Sequence, residues 1–154
     1  MDRLWGFLHL FFAFSFVGTL VLAEWNGRAA RATHDWGHRA LLFQVVHRST
    51  RAVGLGSLVL TGVVGQVYGA GLGYRMSADA WMRWVTLAWG IAIAVHALVV
   101  LPAAARLAAT SAVAAGGGTA EGWDLALVRW RAGNVAMSAL YLALLALMVW
   151  HWRS

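Results

Sequence analysis

The sequence predicts an all-α fold, an integral membrane four-helix bundle, and three observations carry that expectation. Of the 154 residues, 61% are hydrophobic and only 12% charged, about half the charged fraction of a soluble domain. Mean hydropathy is +0.67, so the chain has too few polar groups to cover a water-exposed surface. Finally, four apolar stretches each reach the ~20 residues that cross a hydrocarbon core of about 30 Å at 1.5 Å per residue. Together they fill the chain, which reads as a single transmembrane domain over residues 1–154.

The first stretch runs from about Trp5 to Trp25 and is uncharged until Glu24. Val21-Leu22-Ala23 resembles a small-residue cleavage site, but the apolar run is long for a signal peptide, so a retained helix is expected. Residues 26–51 follow as a basic segment with five Arg, and their second half, from Arg39 to His47, is compatible with a helix that extends the next span. The second span covers about Ala52–Gly73 and the third about Trp84–Leu101, joined by a short turn at 74–83. Residues 107–124, rich in Ala, Gly and Thr, read as a flexible linker. The fourth span covers about Ala132–Trp150. Trp5, Trp25, Trp81, Trp84, Trp130, Trp150 and Trp152 lie near predicted ends, as interfacial indoles do. Trp89 falls inside the third span.

All twelve cations are Arg. Their clustering beside apolar segments reads as a topology signal and not as a nucleic-acid surface. Eight lie in the 1–2 and 3–4 connections and four on the other side, so the positive-inside rule places both termini outside the cytoplasm. The segment 26–51 offers its Arg to anionic lipid headgroups or to a partner subunit. With no cysteine, disulfides, c-type haem attachment and iron–sulfur ligation by the chain are excluded. The six histidines leave haem iron, copper and zinc open.

Polar groups within the spans are the first places to look for chemistry. Thr61, Gly65, Gly69 and Gly73, at steps of four with Gly62 beside them, put small residues on one helix face. Such a face lets a neighbouring backbone approach closely, or makes room for a flat cofactor. Arg131, Asn134, Ser138 and Tyr141 fall at steps of three, four and three, which predicts a polar stripe toward the bundle interior. Such a stripe serves interhelical hydrogen bonding or lines a pocket, with Arg131 at its mouth holding a carboxylate or phosphate. His9 lies in the first span on a face with Gly6 and Ala13. His96 lies in the third, seven residues after Trp89 and on the same face. Each is either bonded to a neighbour or a metal or haem ligand. Their depths differ by roughly 15 Å, which argues against one iron shared by both. His96, near the end that carries Arg131 and Asn134, has the better furnished surroundings. His34, His38 and His151 are expected in solvent or at the interface. No carboxylate pair lies in a span and no His-Glu-x-x-His motif occurs.

His9 followed by Gly18, the glycine-rich second span, His96, and Arg131 with Asn134 opening the fourth span together resemble small bacterial membrane proteins related to HemJ and CopD. The resemblance spans nearly the whole chain. It implies a four-helix protein of the bacterial inner membrane that binds b-type haem through a first-helix histidine, at His9. It also implies redox function, as in the protoporphyrinogen oxidase activity of HemJ. That group's third-helix lysine has no counterpart, since the chain lacks lysine, and its Asn-Glu pair is replaced by Asn134-Val135. CopD-type copper handling lacks a Met/Cys/His cluster suited to Cu(I). The expected cofactor contacts are thus His9 and His96 at the metal, with Arg131 and Asn134 beside them. The competing expectation is a non-catalytic accessory subunit of a larger respiratory or photosynthetic membrane complex, packing against membrane lipids and other subunits.

Overall fold

The computed structural model describes residues 2–151 as four helical rods. The first is α1 (Asp2–Ala32). The second joins α2 (Trp36–Ser49), a π-helical segment (Thr50–Leu55) and α3 (Gly56–Gly71) without a break. The third likewise joins α4 (Ala80–Val95), a π-helical segment (His96–Val100) and α5 (Leu101–Ala115). The fourth is α6 (Trp123–His151). All four are long and apolar enough to cross a membrane, and the chain is a multi-pass membrane protein. Large apolar side chains such as Phe14, Leu98 and Val135 are at least 70% exposed on the bundle, a surface suited to lipid.

The rods are longer than the bilayer needs, and three of them were underestimated from the sequence. The second and third have 36 residues each, about 54 Å. As anticipated, the second half of the basic segment continues the second span as helix, while residues 26–32 complete α1. The expected linker at 107–124 is a correction: residues up to Ala115 are helical. Alanine has the highest helix propensity, and Ala103, Ala104, Leu107, Ala108 and Ser111 bury a stripe at helical spacing. The loop shrinks to 116–122 and starts as a tight cap. Gly118 N–H bonds Val113 O and Gly117 N–H bonds Ala114 O, with Gly117 at φ +86°. This is a Schellman closure, which needs the left-handed conformation glycine takes without strain. Gly73 closes α3 the same way, at φ +91°.

Between α1 and α2 the turn is three residues long. Asp35 Oδ1 accepts from Gly37 N–H at 2.9 Å and caps α2. Arg39 donates to Ala30 O and Thr33 O, so a cation covers the bare carbonyls that end α1. Its guanidinium also lies 4.4 Å from the Trp36 ring centre and 5.0 Å from that of Trp123. Below this pair Phe43 is enclosed, edge-on to Trp123 and Trp130. Trp123 donates to Ser111 Oγ at 3.1 Å, tying α6 to α5. Trp130 is therefore no interfacial indole: it is fully buried and seated on Gly27 of α1. Trp25, Trp84 and Trp150 are exposed, as boundary residues should be. Trp152 lies outside the described residues.

Candidate functional site

A helical side chain leans over the turn preceding it, so it shields the carbonyl four residues back. Glycine leaves that carbonyl open to a neighbouring helix. The second rod uses this opening three times. His9 Nδ1 lies 2.9 Å from Thr61 O, four residues before Gly65. Trp89 Nε1 donates to Leu58 O at 2.9 Å, four before Gly62. His96 Nε2 lies 3.3 Å from Thr50 O, four before Gly54.

Each ring occupies the space its glycine vacates. A methyl group at Gly65 would come within 2.8 Å of His9 Cε1, and one at Gly54 within 3.3 Å of His96 Nε2. At Gly62 it would overlap the Trp89 indole. Met82 fills the same role at Gly69. The small-residue face thus packs against rings from both flanking rods. Gly73, expected on this face, belongs to the cap instead.

The carbonyl partners define the tautomers, because a carbonyl only accepts. His9 donates through Nδ1, and its Nε2 has no hydrogen-bond partner among the described residues. His96 carries its proton on Nε2. Its Nδ1 is buried without a partner, and the ring meets the edge of Phe16 at 5.7 Å. His96 is 1% exposed and sealed in the bundle, whereas His9 keeps partial access to the surface. The π-helical segments of the second and third rods meet at the His96–Thr50 contact. Thr50 and Thr61 lie eleven residues apart on one rod, so the two histidines are separated by about 16 Å in depth.

The expected polar stripe on α6 divides. Asn134 is buried and donates to Trp130 O within its own helix at 3.0 Å, and Tyr141 donates to Ala13 O at 3.3 Å. Arg131 and Ser138 are exposed. The buried seam runs through Ala126, Trp130, Gly133, Met137 and Leu144, leaving positions 131 and 138 one residue outside it. Tyr141 is level with Ala13, which puts Arg131 about 20 Å along the bundle from His9. A methyl group at Gly133 would come within 2.8 Å of Val100 Cγ2, so Asn134 sits near the height of His96. The sequence-predicted residues therefore fall into two places: His9 alone toward one end, His96 with Asn134 and the mouth residue Arg131 toward the other.

The haem implied by the resemblance finds a fitting donor in His9. Metal-bound imidazoles commonly donate their second ring nitrogen to a carbonyl, which fixes the ring and leaves the other nitrogen as ligand. His9 has that arrangement. Among the described residues no group of three His, Asp or Glu side chains converges as for a metal cluster. His34 and His38 are exposed, and the His151 side chain lies outside the described residues. Trp89 and Arg39, whose side chains turn inward, were not singled out from the sequence as helix-joining groups; the steps Gly54, Gly62 and Gly65 were the signal available for Trp89. Comparison with protein-family models, curated proteins and solved structures finds no match to this chain.

Proposed function

We propose that the chain is a redox-type protein of the bacterial inner membrane that binds b-type haem through His9, with both termini outside the cytoplasm. The observation supporting it is the state of that ring: Nδ1 held on Thr61 O at 2.9 Å, Nε2 unpaired, and the imidazole partly accessible. His9 would hold the haem iron with Thr61 as its orienting partner, and bound haem would supply one-electron chemistry. On this reading Arg131 and Asn134 lie too far along the bundle to serve that same haem. They would accompany His96 only.

The test is the absorption spectrum and iron content of protein purified from membranes. A Soret band with stoichiometric iron is expected, lost in His9→Ala and retained in His96→Ala. Purified protein with neither band nor iron would overturn the haem reading.

A second reading is favoured by a specific observation. The His9 bond is one of three alike, and the Trp89 and His96 members of the set join helices. A protein whose His9, Trp89 and His96 rings all join helices fits a non-catalytic accessory subunit. Co-purification with a large respiratory or photosynthetic assembly, without a cofactor of its own, would support that alternative.

A further inference from the structure

The arginines among the described residues differ in how far they are already engaged. Arg28 and Arg31 approach Glu24, Arg39 covers the end of α1, and Arg83 donates to Met76 O and Ser77 O. The guanidiniums of Arg106 of α5 and Arg129 of α6 have no hydrogen-bond or carboxylate partner among the described residues. Both line one groove between α5 and α6, with a volume of about 320 Å³. Two contacts pin these antiparallel helices in register, Trp123 with Ser111 on one side and Gly133 with Val100 on the other. That register puts residues 106 and 129 at nearly the same height, and the Arg106 guanidinium extends toward Gly122 at the start of α6. Among the described residues no carboxylate lines it. Its remaining wall is apolar and includes Leu98, Val99, Pro102 and Leu125. Leu98 is 76% exposed and belongs to the charge-free stretch that crosses the bilayer, so the groove leads from the hydrocarbon edge up to two unpaired cations.

We propose that this groove binds one anionic phospholipid, its phosphate between Arg106 and Arg129 and its acyl chains along Leu98 and Val99. Guanidinium forks match phosphate oxygens two at a time, and basic pockets between membrane helices suit anionic headgroups. A zwitterionic headgroup would bring its own amine against two cations, so net negative charge is selected. The apolar wall selects a lipid over a free phosphate ion.

Native mass spectrometry of delipidated protein tests this with phosphatidylglycerol, phosphatidylcholine of the same chains, and inorganic phosphate. A single retained phosphatidylglycerol is expected, with phosphatidylcholine bound at least tenfold more weakly and phosphate unable to displace the lipid at equal concentration. Arg106→Gln and Arg129→Gln should each weaken binding about tenfold, as loss of a charged hydrogen bond does. Arg48→Gln, at an exposed arginine of α2 without a partner among the described residues, should not. Leu98→Trp, which fills the apolar wall but keeps both cations, should weaken binding as well. Equal binding of the two lipids, displacement by phosphate, unchanged binding in either Gln variant or in Leu98→Trp, or an equal loss in Arg48→Gln would each overturn the proposal.

Discussion

At the scale of single residues, the pairing of a ring with a glycine makes two positions interdependent. Gly62→Ala drives a methyl group into the Trp89 indole and should destabilise the bundle by about 1–3 kcal/mol, as overpacking does. Trp89→Phe frees Leu58 O and should cost about 1 kcal/mol. In a Trp89→Ala background the alanine at position 62 should be nearly harmless, so a double-mutant cycle followed by unfolding in detergent should show coupling above 0.5 kcal/mol. Additive effects would mean that the two positions do not share space. The glycine face was legible in the sequence, because small residues at helical spacing announce a close approach. What approaches was not, since the partner rings are supplied from rods 27 or more residues away in the chain. Arg39 shows the same limit. Its charge counted toward orientation, yet nothing local in the sequence reveals two indoles stacked on its guanidinium.

At the scale of elements, the caps decide where the rods stop. Gly117 adopts φ +86°, and Gly117→Ala should cost about 1–2 kcal/mol, the penalty of the left-handed conformation for a residue with Cβ. Gly116 has φ −82°, and Gly116→Ala should be near neutral. Thermal unfolding of the two variants distinguishes a closed cap from a loose linker, for which both changes would be silent. The triple glycine at 116–118 made the alanine-rich stretch before it look flexible. The stripe from Ala103 to Ser111 held the contrary signal, and the glycines after it masked it. The two π-helical segments, which meet at the His96–Thr50 contact, had no sequence signal.

At the scale of the whole molecule, four spans and their order were fully legible, since burial in lipid leaves so large a compositional mark. The chain has no cysteine, so single introduced thiols report orientation without background. Ser77→Cys, in the turn between α3 and α4, should react with a membrane-impermeant maleimide in intact cells. Thr119→Cys, in the 116–122 loop, should react only after permeabilisation, and the opposite pattern would reverse the proposed topology. The open carbonyls of the second rod carry a consequence for biogenesis. That rod is the least hydropathic of the four. Its partner at Thr61 comes from the helix synthesised before it, and those at Leu58 and Thr50 come from the helix synthesised after it. A nascent chain halted at the 72–79 turn would hold one of these three contacts. The second helix thus packs chiefly against the first as it emerges, and gains its Leu58 and Thr50 contacts only once the ribosome has delivered the third.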